Sequence, residues 1–134
     1  MRINIFDGTI SFERGNIRRS FGMAQFLESP IGRSAEESLV NENWRHFGIE
    51  PEAGVAGTVL FNGDYIDRVF LAMKMDTDVS GEWTVERELE RKAKHEQWLG
   101  KELGGAPYHY SWGRVVSEFD PKGLASEIII VYER

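Results

Sequence analysis

The run Asp76-Thr77-Asp78-Val79-Ser80-Gly81 places oxygen-bearing side chains at alternate positions and a glycine at the sixth, just ahead of a charged helical segment. That is the opening half of a calcium loop of EF-hand type, where alternate oxygens ligate the ion and the glycine makes the bend. The bidentate glutamate that completes such a loop falls on Arg87, between Glu86 and Glu88, and Trp83 stands where an aliphatic residue belongs. A strand-to-helix connection carrying N-capping groups therefore outranks a calcium site. His95-Glu96 begins a zincin pattern, but the second histidine, one helical turn on, is replaced by Leu99. His95 then reads as a partly exposed helix residue, and His46 and His109 as packed residues among aromatics.

Nucleophilic chemistry lacks its parts: the chain has no cysteine, no Gly-x-Ser-x-Gly elbow and no glycine-rich nucleotide loop. Carboxylate pairs such as Glu36-Glu37, or Glu88 with Glu90, are unavoidable among 22 acidic residues and do not define a glycosidase. No catalytic residue, metal or cofactor is expected. Tyr108, Tyr110 and Trp112 alternate along one predicted strand and so share a face. They suit either a ligand or partner platform or core packing, and core packing is preferred.

The elements that would position these groups are legible from periodicity and turns. Asp7-Gly8 joins Ile3 to Phe6 with Thr9 to Glu13 as a two-residue hairpin, with Ile17 to Phe21 extending the sheet. Met23 to Glu28 makes a helical turn stopped by Ser29-Pro30. The stretch from Gly32 to Asn43 is predicted as loop with some helix, and Trp44 to Ile49 as a short strand. Asn62-Gly63-Asp64 joins Val55 to Phe61 with Tyr65 to Lys74, and the consecutive Val69, Phe70, Leu71 and Ala72 predict a central strand covered on both faces. A long helix runs from Thr84 to Leu103, capped by Ser80 or Thr84, with Val85, Leu89, Ala93, Leu99 and Leu103 forming the stripe expected to lie on the sheet. Gly104-Gly105 ends it, and Tyr108 to Phe119 pairs with Leu124 to Tyr132 around Asp120-Pro121-Lys122-Gly123. The expected fold is a single α+β domain over 1–134, a largely antiparallel sheet with one long helix packed on one face.

At 134 residues, 41% hydrophobic and 28% charged, the composition is that of an ordinary globular domain. The absence of cysteine, of an apolar leader and of any apolar run of about eighteen residues predicts a soluble, cytoplasmic protein with no membrane partner. A net charge of −6 and a pI near 5.1 disfavour nucleic acid and favour a basic protein partner.

The segment His95, Trp98, Leu99, Leu103 and Gly104, followed by Trp112-Gly113, Asp120-Pro121 and Ile128, Ile130 and Tyr132, resembles a group of small bacterial α+β proteins similar to immunity proteins of toxin systems. The resemblance covers roughly residues 58–134 and implies a non-enzymatic inhibitor that covers a basic toxin with an acidic surface. Expected contact residues are Glu36 and Glu37, or Asp76, Asp78 and Glu82, with Tyr108, Tyr110 and Trp112 as a second patch. The alternative is a small-ligand or calcium-binding domain using the 76–82 loop or the aromatic strand 108–112. The sheet face left bare by a single helix suits a homodimer or a partner contact.

Overall fold

The computed structural model describes residues 1–41, 43–76, 78 and 83–134. A small antiparallel sheet comes first, β1 (Arg2–Ile3), β2 (Ile10–Phe12) and β3 (Gly15–Ile17), followed by helices α1 (Met23–Glu28) and α2 (Pro30–Arg33). Strands β4 (Glu36–Asn41), β5 (Trp44–Glu52), β6 (Val55–Asn62) and β7 (Tyr65–Met73) lead to helix α3 (Val85–Leu103). Strands β8 (Tyr108–Tyr110), β9 (Gly113–Asp120) and β10 (Ala125–Tyr132) complete a seven-stranded antiparallel sheet in the order β4-β5-β6-β7-β10-β9-β8. The fold is α+β, with the long helix on one face of the sheet, as the sequence leads one to expect.

Cross-strand partners share a face, so the register reads out both surfaces of the sheet. Phe47, Val59, Val69, Ile130, Val115 and Tyr108 are successive partners across six strands, and this apolar row belongs to the core. Phe26 of α1 packs its ring 5.5 Å from Phe47 and 5.4 Å from Phe61. Ile10, Ile17 and Ile31 join the same cluster. The small sheet with α1 and α2, together with α3, therefore covers one face.

Local chemistry explains where the strands depart from the periodic reading. Asn4 and Asp7 side chains accept from the Phe6 and Thr9 amides, an Asx geometry that competes with the ladder and leaves β1 and β2 shorter than the predicted hairpin. β5 runs through Pro51 because its pairing with β6 shifts register between Ile49 and Glu52, where a residue without an N–H is tolerated. The polar segment expected as loop contains β4. The predicted strand from Tyr108 is broken at Ser111-Trp112, where the chain turns into β9. A Cβ on Gly113 would lie 1.9 Å from the Val131 carbonyl oxygen, at a φ of +151°. Gly113→Ala is accordingly expected to cost roughly 1–3 kcal/mol, read as a lowered denaturation midpoint, and an unchanged midpoint would mean that β9 and β10 separate easily there.

The largest departure is in α3. Thr84 caps it, accepting from the Arg87 amide, but the buried stripe is Glu88, Arg91, His95 and Leu99. Val85 and Leu89 are 46% and 48% exposed, and Ala93 is exposed too. His95, expected to be partly exposed, is 0% exposed and accepts from the Met73 amide through Nε2. Polar groups can occupy a buried stripe when they find partners, and here all three do, although His95 Nδ1 has no partner among the described residues. Arg91 donates to the Met73 carbonyl at 2.5 Å, to both oxygens of Asp78 at 2.5 and 3.1 Å, and to Glu88. Glu88 accepts from the Ser126 amide at 2.8 Å, and the Ser126 hydroxyl donates to the Glu88 carbonyl. The helix is thereby fastened to the ends of β7 and β10.

Candidate protein-binding surface

Residues alternate between the faces of a strand, so the partners of the core row have neighbours on the opposite side. Gly48, Thr58, Phe70, Ile129 and Val116 form one outer row, and His46, Leu60, Arg68, Val131, Arg114 and His109 the next. Leu60, Ile129 and Val131 are buried yet stand outside the core cluster. β7 is the middle strand of the seven, and its outer-face residues Arg68, Phe70 and Ala72 are half-buried, less covered than its core-facing Val69 and Leu71.

Charge divides the face into two ends. Arg68 pairs with Asp67 at 2.8 Å and Arg114 with Glu133 at 2.8 Å, which neutralises one end. At the other end Glu118 and Glu127 are direct cross-strand partners, with Asp120 two residues along the same face, and no cation pairs with any of the three among the described residues. Like charges placed opposite each other repel. Burial, helped by Asp120, Glu118 and Glu88, raises the carboxyl pKa of Glu127. Beside it lies a pocket of about 360 Å³ lined by Ala56, Ala72, Trp83 and Glu127, with Lys74 and Arg91, each paired with another carboxylate, also in its wall. Trp83 donates its indole N–H to the Leu124 carbonyl at 2.7 Å, and the Arg91 guanidinium stands 5.9 Å from its ring.

A carboxyl whose folded pKa lies above its unfolded value costs stability at neutral pH, and that cost disappears as pH falls through the folded value. Glu127→Gln should therefore raise the unfolding free energy at pH 7 by up to about 1 kcal/mol, for relief of one like-charged pair, and the melting temperature with it. The variant should lose the stabilisation that the parent gains on mild acidification. Identical pH profiles for the two proteins would contradict a strained carboxylate at this position.

The residues singled out from sequence are scattered rather than convergent. Glu36 is exposed on the edge strand β4, while Glu37 is bound by Arg45, whose guanidinium holds its carboxyl pKa down. Asp76 is exposed. Asp78 is not a free contact group, because Arg91 grips both its oxygens, lowering its pKa, and it also accepts from the Met75 amide. Calcium at this loop would have to displace that arginine. Glu82, with Thr77, Val79, Ser80 and Gly81, lies outside the described residues. Trp112 is buried, donates to the Ile5 carbonyl and stacks on Tyr110 with ring centroids 5.2 Å apart. Tyr108 and Tyr110 are half-buried and pack against the core, in keeping with the preferred reading of this aromatic set as packing.

Sequence reasoning missed Glu118, Asp120, Glu127 and the outer apolar row. The available signal was the unbroken run Ile128 to Val131 on a strand whose sheet has only one principal helix to cover it. Comparison with known protein families, with curated proteins and with solved structures finds no match. Among the described residues no helix is long and apolar enough to cross a membrane.

Proposed function

We propose that this chain is a non-enzymatic binding domain that engages a basic protein through the outer face of its seven-stranded sheet, acting as an inhibitor of that protein in the manner of an immunity protein. The observation that carries the reading is the cluster of Glu118, Asp120 and Glu127, which has no ion-pair partner among the described residues, beside the half-buried Phe70 and Val116. The half-buried Phe70 and Val116 supply area to be desolvated, and Glu118, Asp120 and Glu127 supply a field that attracts and orients a cationic surface. The strain between Glu118 and Glu127 is relieved when a lysine or arginine arrives between them. A net charge of −6 extends the attraction beyond contact range. The inhibitory role itself rests on the family resemblance.

The test is capture from native lysate on tagged protein at low and moderate salt, alongside the variant Glu118→Lys/Asp120→Lys/Glu127→Lys. One basic protein should be retained in near-stoichiometric amount by the parent and lost both with salt and in the variant. Reversing three unpaired charges should weaken the complex by at least a hundredfold, corresponding to roughly 3 kcal/mol. Equal retention by parent and variant would refute the acidic-corner reading.

A further inference from the structure

β9 pairs with β10 through eight consecutive partners, Gly113 to Asp120, but with β8 through only three, Gly113 to Val115. β8 starts after Pro107, which has no N–H to donate, so the outer side of residues 116–120 has no partner among the described residues. The direction of the free groups follows from one bond. The Trp112 carbonyl accepts from the Glu133 amide, and in an antiparallel ladder both backbone groups of a residue point to one side while those of its neighbours point to the other. Residues 114, 116, 118 and 120 therefore face β10. Ser117 and Phe119 turn their N–H and C=O groups outward.

A groove of about 420 Å³ runs beside this edge, with Leu99 of α3, Pro107, Tyr108 and Val115 among its walls. Ser117 also lines it, and its Oγ is buried without a hydrogen-bond partner among the described residues. The other margin of the sheet, β4, has a register irregularity between Glu37 and Leu39, the kind of bulge that blunts an edge. β9 has none. Side chains of a strand added outside β9 would point alternately into the apolar groove and toward Glu118 and Asp120.

We propose that an extended segment of a protein partner, alternating apolar and basic residues, adds as an eighth strand along residues 116–120 of β9, with its amides and carbonyls bonded to Ser117 and Phe119. The proposal rests on the basic-partner reading above and specifies its geometry. Strand addition draws affinity from main-chain hydrogen bonds and selectivity from alternate side chains, and this edge offers both.

The probe is a capped hexapeptide of alternating lysine and valine, titrated at low salt into isotope-labelled protein while amide hydrogen exchange is followed. In the free protein the Ser117 and Phe119 amides should exchange fast and those of Val116 and Glu118 slowly. Saturating peptide should slow Ser117 and Phe119 at least tenfold. A peptide N-methylated at alternate amides should not bind. Ser117→Pro, which removes an outward N–H and leaves the β10 ladder intact, should weaken binding severalfold without lowering the melting temperature. If that variant fails to fold, the methylated peptide carries the comparison. Slow exchange at Ser117 and Phe119 before any peptide is added would overturn the proposal. So would shifts confined to Phe70, Val116 and Ile129 with exchange at Ser117 and Phe119 unchanged, although the basic-partner reading would survive. Equal protection by a glutamate-valine peptide would keep strand addition and refute the basic partner, and no binding by either peptide would overturn both.

Discussion

Arg91→Met is expected to destabilise the protein by about 3–5 kcal/mol, the usual cost of leaving a buried charge without its partner. Glu88 is 1% exposed and Arg91 4%, so removing the guanidinium strands a carboxylate inside the protein, frees the Met73 carbonyl and Asp78 Oδ1, and leaves Asp78 Oδ2 with the Met75 amide alone. For a chain of this length the melting temperature should fall by roughly 10–20 °C. Adding Glu88→Gln to Arg91→Met should recover part of the loss, because the amide oxygen still accepts from Ser126 and no charge remains buried. A double-mutant cycle should then give a coupling of at least about 1 kcal/mol. The consequence reaches the loop after β7, since Arg91 is the main group lowering the Asp78 carboxyl pKa, with the Met75 amide in support, and that carboxyl should titrate higher in the variant. A melting temperature within a few degrees of the parent would show that water already reaches the cluster.

The second large effect concerns acid. His95 is fully buried, and burial, reinforced by Arg91 and Lys94 and opposed by Glu96, lowers its pKa from 6.5 to about 4. As pH falls the unfolded chain takes up the proton first, so the folded state loses relative stability between pH 6.5 and pH 4 and none above that window. The full loss is about 3 kcal/mol. Neutral His95 accepts from Met73 through Nε2, so its proton resides on Nδ1, which has no acceptor among the described residues. His95→Gln keeps an acceptor for the Met73 amide and cannot titrate. The stability difference between parent and variant should therefore shrink steadily from pH 7 to pH 4 in denaturant melts. Asp78 acts in the same direction at lower pH, and Glu127 in the opposite one, but both are common to the two proteins. A difference that does not change with pH would place His95 in contact with solvent.

Neither prediction could have been made from hydrophobic periodicity. Val85, Leu89 and Ala93 sit on a regular stripe with Leu99 and Leu103, and the structure turns the first three toward solvent. The stripe that faces the sheet includes a glutamate, an arginine and a histidine because their partners come from elsewhere: Asp78 lies 13 positions from Arg91, Met73 lies 22 from His95, and Ser126 lies 38 from Glu88. A window along the helix sees three polar residues and assigns them to water. The acids proposed as contacts fail for the same reason. Glu37 and Asp78 look free in sequence and are each held by an arginine, whereas Glu118 and Glu127 look ordinary and become opposed only when β9 pairs with β10.

The sequence by itself determined what depends on near neighbours: the turn between β6 and β7 at Gly63, the stop of α1 before Pro30, the Gly104 end of α3 and its start at Ser80 or Thr84, the antiparallel α+β class, and an acidic net charge. These follow from backbone preferences, hydrogen bonds spanning a few residues and simple counting. Only the tertiary structure decided which face of the sheet stays open, where β9 loses its outer partner, and which charged groups are buried together. Those features are set by register between strands far apart in the chain, and a side chain's hydrogen-bond partners and dielectric surroundings exist only once that register has formed.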